Sequence, residues 1–105
     1  MTDKRVVLTT CGSIEEARKI AHELVERKLA ACANIIPGIE SIYRWKDKVE
    51  TSTEYLLVIK TTASAFTSLR DVLGELHSYE VPECVAIAVT DGSAAYLKWM
   101  EESML

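Results

Sequence analysis

Residues 29–60 read LAACANIIPGIESIYRWKDKVETSTEYLLVIK, and the pattern of this stretch decides the fold. Residues 29–36 are apolar at nearly every position, which is typical of a central strand covered on both faces. Pro37-Gly38 interrupts the run and removes a backbone donor, so it predicts a bulge or bend. It does not predict the end of the strand, because apolar residues resume at once on one side, at Ile39, Tyr43 and Trp45.

A tight turn and a second strand follow directly. Lys46-Asp47-Lys48 predicts the turn, because Asp tolerates the left-handed backbone conformations that hairpins need. From Val49 to Lys60, β-branched and aromatic residues alternate with polar ones, and both faces become apolar from Tyr55 onward. Together these features predict a long antiparallel hairpin whose base enters the core.

The flanking segments supply the other elements. Residues 5–11 predict a short buried strand, residues 84–90 predict a continuous apolar strand, and residues 93–102 predict a final helix. Ser13 to Glu16 has the form of a capping box, in which Glu16 reaches back over the start of a helix that runs to Arg27 or Lys28. Ser64 is the expected cap of a second helix, which ends near Leu76.

The order of elements is strand-helix-strand, repeated once, with the hairpin joining the two units and a tail helix at the end. This order matches the split βαβ or ferredoxin-like arrangement, in which two helices cover one face of a four-stranded antiparallel sheet. We therefore predict a single α+β domain over residues 1–105.

The predicted hairpin is too long for these helices to cover. Residues 31–46 span about 50 Å at ~3.3 Å per residue, whereas a helix of about 14 residues is roughly 20 Å long. Burying the uncovered apolar side chains is worth several kcal/mol, at about 25 cal/mol per Å². A free, flexible hairpin is the alternative, but it would leave Tyr43 and Trp45 in water. We expect other copies of the chain to pack there, with Tyr43 and Trp45 in the interface.

Composition excludes several classes of partner. The formal net charge of −4 over 105 residues does not provide the basic field that nucleic acids require. No stretch approaches the roughly 18 apolar residues of a membrane span, and the apolar run at residues 6–8 is too short for a signal-peptide core. The three cysteines are widely spaced and odd in number, which is typical of reduced cytoplasmic thiols. We expect a cytoplasmic protein without nucleic-acid or membrane partners.

His77 is the best single candidate for chemistry. It lies at a predicted helix C-terminus beside Tyr79 and Glu83, and an imidazole near a carboxylate can bind a divalent ion. The alternative is a histidine that only caps the helix end. Cys84 starts a strand and is the cysteine that we predict as a soft ligand, whereas Cys32 is expected to be buried packing. Since no C-x-x-C or H-x-x-x-H spacing occurs, a preformed structural zinc site is not expected.

A second group of residues predicts a ligand cleft. Lys60 and Thr61 end a core strand, and after folding they could line an inter-subunit pocket with Tyr79 and Glu83 and bind an anion. Lys60 could equally form a structural ion pair. No glycine-rich phosphate loop is present, and no nucleophile–base pair can be identified, so we do not predict an enzyme.

Several motifs, taken in order, resemble those of the CutA family of divalent-cation tolerance proteins. They cover essentially the whole chain and are LAACANIIPG at residues 29–38, SIYRW at 41–45, IKTT at 59–62, LHSYEVPE at 76–83 and YLKW at 96–99. The resemblance implies a ferredoxin-like protomer in a tight homotrimer that is similar to PII-type signalling proteins. It also implies a link to tolerance of copper and other divalent metals. Composition separately predicts that no cofactor is needed for folding, because about half of the residues are hydrophobic.

Three positions depart from the family pattern. The hairpin turn usually has Gly where this chain has Asp47, and the loop motif His-Pro-Tyr is here His77-Ser78-Tyr79. A cysteine that serves as a copper ligand in some relatives falls at Thr9, and Cys11 would point to the same side if the strand is regular.

Two functions remain open on the sequence alone. One is a trimeric protein that binds Cu or Zn ions in a cleft between subunits, with His77 as a ligand and Glu83 or Cys84 as partners. The other is a PII-like sensor or scaffold that binds a small molecule or a protein at the Lys60, Thr61, Tyr79 and Glu83 pocket.

Overall fold

A computed structural model describes residues 2–105 of the chain. Seven elements follow one another, namely β1 (Lys4–Cys11), α1 (Ile14–Glu26), β2 (Cys32–Trp45), β3 (Lys48–Thr62), α2 (Phe66–Leu76), β4 (Val85–Ala88) and α3 (Ala94–Ser103). The strands form an antiparallel sheet in the order β2-β3-β1-β4. The predicted α+β chain with a four-stranded antiparallel sheet is confirmed.

The core lies between the sheet and the first two helices. Four apolar residues of α1 recur at helical spacing and are buried, namely Ala17, Ile20, Ala21 and Leu24. They pack in one cluster with the inward face of β1 and β3 and with α2; the members include Val7, Cys11, Ala17, Ile20, Leu24, Leu57, Ile59, Leu69 and Leu73. The end of β1 and the start of α1 are therefore held firmly at one edge of this core.

Helix α1 ends in a left-handed residue that is not glycine. Lys28 has a φ of 60°. The amide of Leu29 donates to the carbonyl of Leu24 at 2.9 Å, and that of Lys28 donates to Val25 at 3.0 Å. This pair of bonds is the Schellman arrangement, in which glycine is usual because a Cβ is strained at positive φ.

The hairpin forms as predicted, with its bulge and its turn. The ladder between β2 and β3 shifts register between Ile36 and Ile39, and Gly38 there has a φ of 74°. At the tip, Lys46 and Asp47 have φ values of 50° and 65°. Positive φ at both central residues is the type I′ geometry, which matches the twist of the flanking strands.

The far part of the hairpin, residues 39–53, is called the arm below, and no residue in it is buried. Its apolar side chains lie on both faces. Ile42 and Val49 are on one face and are 67% and 65% exposed, and Tyr43 and Trp45 are exposed on the other face. The molecule is elongated and measures 44 × 25 × 23 Å. The helices of the same protomer leave the arm uncovered.

Two local predictions were wrong. Ser64 does not cap α2, because the N-cap residue is Ala65, whose amide donates instead to Thr62 Oγ1 at 3.3 Å. Strand β4 covers only Val85–Ala88 rather than residues 84–90, since only this part pairs with β1.

Candidate functional site

His77 ends α2, and its side chain turns inward rather than out to solvent. The side chain is 0% exposed. Nε2 lies 2.8 Å from the carbonyl oxygen of Thr10, and Nδ1 lies 3.1 Å from the backbone nitrogen of Tyr79. Because a carbonyl can only accept and an amide can only donate, Nε2 carries the proton and Nδ1 presents a lone pair. This pattern describes a neutral imidazole.

Cys11 and Glu16 complete a cluster around this imidazole. Cys11 Sγ is 3.8 Å from His77 Nε2, and Glu16 Oε1 is 3.7 Å from His77 Nδ1. One ligand atom from each residue lies within 4.8 Å of the others. The fold brings them together because β1 ends at Cys11, α1 begins at Ile14, and α2 runs back from the end of β3 toward the same edge.

The carboxylate of Glu16 does not close the predicted capping box. Ser13 Oγ does accept from the amide of Glu16 at 3.2 Å, as expected of an N-cap. However, Glu16 Oε2 accepts from the amide of Ser78 at 3.0 Å, so the reach-back prediction was wrong. The loop after α2 provides a donor that the sequence pattern could not show. Glu16 Oε1 is buried and has no hydrogen-bond partner among the described residues.

The thiol of Cys11 is protonated in this environment. Burial raises the pKa of Cys11 to about 12, and the negative charges of Glu16 and Glu54 add to the effect. Thiolate, imidazole and carboxylate are nevertheless the donors that zinc and copper prefer, since a bound ion removes the thiol proton. The donor set and the unpartnered oxygen of Glu16 therefore fit a divalent transition metal ion.

A cleft of about 670 Å³ lies beside this cluster, between the arm and the loop after α2. Its lining residues are Thr10, Ser41, Ile42, Tyr43, Trp45, Glu54, Ser78, Tyr79, Glu80, Val81 and Glu83. The phenol of Tyr79 donates to Glu54 Oε2 at 2.6 Å. Burial and then this carboxylate raise the pKa of Tyr79. Three acidic side chains and no basic one line the cleft.

The residues predicted from the sequence are only partly brought together. Tyr43, Trp45, Tyr79 and Glu83 all line this cleft, and His77 lies directly behind it, bonded to Thr10. Cys84 packs against the hydrophobic core, burial raises its pKa, and it is not a member of the metal-ligand cluster.

Lys60 and Thr61 lie elsewhere in the protomer. They pair with Val6 and Arg5 of β1, so they are about 20 Å along β3 from the cleft residue Glu54. Thr61 is buried and donates to the carbonyl of Leu29 at 2.7 Å, and the amine of Lys60 contacts the Asn34 side chain. Both therefore have structural partners within one subunit.

The sequence did not mark Glu16 as a site residue, and it brought in Cys11 only as a neighbour of the position at Thr9. Each looks ordinary in the sequence, one as a buried thiol and the other as a helix-start carboxylate. The topology could have indicated the contact of Cys11 with His77. Strand β3 ends beside the start of β1, so the helix that follows β3 runs back along the sheet and ends near Cys11. The contact between Cys11 and His77 joins residues 66 positions apart.

Comparison with known proteins identifies the family. Residues 5–103 match the family described as CutA1 divalent ion tolerance protein. The chain belongs to the CutA1 family. Relatives include a divalent-cation tolerance protein CutA from Thermus thermophilus, 49% identical over 95% of this chain and 97% of its own length. A chloroplastic CutA protein from Arabidopsis thaliana is 45% identical over 93% of this chain and 54% of its own length.

Solved CutA structures share the whole fold. The divalent cation tolerance protein of Thermus thermophilus superposes with a TM-score of 0.94 at 48% identity, covering 96% of this chain and 98% of its own. A structure named as the periplasmic divalent cation tolerance protein CutA of Archaeoglobus fulgidus gives 0.94 at 38% identity, covering 97% and 99%. These relatives are named as tolerance proteins rather than enzymes. Within residues 2–105, no helix has the length and apolar character needed to cross a membrane.

Proposed function

We propose that this chain is a cytoplasmic homotrimer of ferredoxin-like protomers that binds divalent metal ions, copper and zinc among them, and so contributes to metal tolerance without catalysis. Membership of the CutA1 family supports the link to divalent-cation tolerance. The ions would enter through the cleft, which lies between subunits once neighbouring chains pack on the arm.

The observation that carries this proposal is a buried imidazole that lies behind an acidic cleft and is joined to it through Thr10. Glu54, Glu80 and Glu83 line the cleft. A cleft with acidic side chains only attracts cations and repels anions. His77 is hydrogen-bonded to Thr10, a lining residue, and offers a nitrogen donor that divalent transition metals bind well. The cleft therefore supports cation binding better than the anion binding considered for Lys60.

The trimer rests on the arm. Its apolar side chains lie on both faces, and folding the arm onto its own protomer would bury only one of them. Other subunits can cover both faces at once and can also pair with the exposed strand edges. Tyr43 and Trp45 line the cleft from the arm, so the packing that buries the arm also shapes the site.

The cytoplasm remains the proposed compartment. All three cysteines are free thiols, as expected in a reducing environment. Relatives carry other locations in their names, one chloroplastic and one periplasmic. Location therefore varies within the family, and this chain's own free thiols are what favours the cytoplasm.

A second candidate function is binding of a small molecule or a protein segment in the same cleft. A volume of about 670 Å³ lies within the range of small-molecule sites. Three aromatic side chains, Tyr43, Trp45 and Tyr79, provide apolar walls. This is the PII-like alternative, and the acidic lining favours a positively charged occupant.

Isothermal titration calorimetry with Cu(II), Zn(II) and Mg(II) tests the proposal. The wild type should bind Cu(II) and Zn(II) at micromolar concentrations and bind Mg(II) far more weakly. His77→Ala should weaken Cu(II) and Zn(II) binding by more than about tenfold. His22→Ala is the matched control, because His22 is exposed on α1 and should leave binding unchanged. Equal binding by His77→Ala and wild type would contradict the role of His77.

A further inference from the structure

We infer that the cleft between the arm and the loop after α2 binds a linear polyamine, a small organic cation whose protonated amines are separated by apolar methylene chains. This inference rests on the second candidate function and deepens it, because it names the class of small molecule. Three features of the cleft support it, namely a buried carboxylate without a cationic partner, two further carboxylates and a group of aromatic side chains.

Glu54 is a buried carboxylate whose charge is not paired. It lines the cleft, although it is only 6% exposed. The phenol of Tyr79 donates to its Oε2 at 2.6 Å, but no lysine, arginine or histidine among residues 2–105 forms an ion pair with it. Burying a carboxylate is costly unless a positive charge or several hydrogen bonds compensate it. Glu54 therefore lacks a cationic hydrogen-bond donor, which a ligand in the cleft can supply.

The other two carboxylates of the cleft are also free of ion pairs within the described part of the chain. Glu80 and Glu83 belong to the loop after α2 and line the cleft together with Glu54. Several like charges along one cleft add to a field that favours opposite charge. A ligand with two or three positive charges should therefore bind more tightly than a ligand with one.

The size of the cleft indicates an organic ligand. Its volume is about 670 Å³, whereas a metal ion with six waters occupies about 180 Å³, at roughly 30 Å³ per water. Cavities of this size are typical of sites for small organic molecules. A metal ion held by His77 would lie behind the cleft, so it would leave this volume open.

The aromatic side chains favour a cation with an apolar body. Tyr43, Trp45 and Tyr79 line the cleft. The face of an aromatic ring attracts a cation and packs well against methylene groups, but it offers no ligand to Mg(II), which retains its waters. The chain itself contains one such contact, because the amine of Lys46 lies 5.9 Å from the centre of the Trp45 ring. This ring can therefore accept an alkylammonium group.

The buried carboxylate selects the kind of amine. A primary or secondary ammonium group can donate a charge-assisted hydrogen bond to Glu54, whereas a tetraalkylammonium ion has no hydrogen to donate. The expected ligand therefore combines N–H cations, which pair with the carboxylates, and methylene segments, which pack against the aromatic side chains. Spermidine and diaminobutane have this chemistry.

Isothermal titration calorimetry with spermidine, diaminobutane, butylamine and neutral butanediol tests the inference, with EDTA present to remove metal ions. The affinity should fall in this order, by about fivefold or more for each positive charge that is removed. Glu54→Gln keeps an acceptor for the phenol of Tyr79 and should weaken spermidine binding by more than about tenfold. Glu75→Gln is the matched control, because Glu75 is exposed on α2 outside the cleft and carries the same charge.

The fluorescence of Trp45 tests whether the amine binds in the cleft. The chain has two tryptophans, so the measurement uses Trp99→Phe, which leaves Trp45 as the one tryptophan. Spermidine should change its emission over the same concentrations at which calorimetry detects binding. An emission that stays constant while calorimetry detects binding would place the amine elsewhere and overturn the inference.

The remaining outcomes separate this inference from the proposals on which it builds. Equal spermidine affinity of Glu54→Gln and Glu75→Gln would overturn it, since binding would then follow net charge alone. Butanediol binding as tightly as diaminobutane would overturn it while keeping the second candidate function. A wild type that binds Zn(II) without EDTA but binds no amine would overturn it and leave the metal-binding proposal intact.

Discussion

The phenol of Tyr79 donates a 2.6 Å hydrogen bond to the carboxylate of Glu54, a residue that is only 6% exposed. The two residues belong to different parts of the chain, the loop after α2 and the base of the arm in β3. Gly12 permits the approach, because a Cβ at this position would lie 3.2 Å from the Tyr79 oxygen. This bond fixes the cleft wall against the sheet, next to the cluster around His77.

Replacing this phenol should therefore be costly. Tyr79→Phe leaves a buried carboxylate without its donor, so the free energy of unfolding should fall by about 1–3 kcal/mol in urea denaturation. Tyr96→Phe is the matched control, since Tyr96 lies on an exposed face of α3 and should change stability by less than about 0.5 kcal/mol. Equal stability of both variants would show that the bond contributes nothing.

Lys28 offers a site where glycine should stabilise the chain. Lys28→Gly removes the strain of a Cβ at a φ of 60° and should raise the free energy of unfolding by about 1 kcal/mol. Lys19→Gly, at an exposed interior position of α1, should lower it by about 1 kcal/mol. The opposite signs separate backbone strain from a general effect of glycine, and a loss of stability in both variants would contradict the strain argument.

A buried lysine gives the fold a pH dependence. Lys4 is buried, and its amine bonds to Asp3 Oδ1 at 2.7 Å and to Glu101 of α3. The hydrogen bond from Lys4 lowers the pKa of Asp3 below its ordinary value of 3.8. A carboxyl whose pKa is depressed in the folded state stabilises the fold above its unfolded pKa, and this contribution is lost as the pH falls through the folded value.

Urea denaturation of the wild type and Asp3→Asn should reveal this loss. The wild type should be the more stable protein at about pH 7, and the difference should vanish well below about pH 3. Asp71→Asn is the control, because the pair of Asp71 with Arg70 is exposed and should contribute less than about 0.5 kcal/mol at either pH. A difference between wild type and Asp3→Asn that persists in acid would exclude the pair as its source.

The arm can be probed at Ile42, which is 67% exposed within one subunit. Ile42→Thr keeps a β-branched side chain on an exposed face, so an uncovered arm would tolerate it. If neighbours bury Ile42, the change should cost about 1.5 kcal/mol or more per subunit and lower the melting temperature. Thr51→Ser, at the position that pairs with Ile42, is the control for a general effect on the ladder. No change in melting in either variant would indicate a free arm.

Features that depend on neighbouring residues in the sequence were predictable. Helix α1, the bulge at Gly38 and the turn at Lys46 and Asp47 follow from local spacing and backbone preference, and the structure contains all three. The regular ladder of β1 up to Cys11 also settles the side of this residue, which shares the inward face with Thr9. Local pattern was sufficient because each of these features is formed within one or two adjacent elements.

Features that depend on distant partners were not predictable. Glu16 satisfies a donor 62 positions away instead of its own helix start, because the tertiary partner competes with the local one. The inward turn of His77 depends on a carbonyl of β1, which no spacing in the loop reveals. Within one protomer Tyr79 and Glu83 line the cleft, whereas Lys60 lies far from it along β3, and the inter-subunit pocket predicted for all three stays a prediction.

Light scattering coupled to size-exclusion chromatography tests the proposed trimer most directly, since the proposed position of the cleft between subunits depends on it. The measurement should be made on the wild type at low micromolar concentration without added metal. We expect a particle of about three times the protomer mass of 11.7 kDa. In a Trp99→Phe variant, which leaves Trp45 as the one tryptophan, burial should shift the emission to the blue. A mass of one protomer, with Trp45 emitting as a solvent-exposed indole, would contradict the proposed trimer.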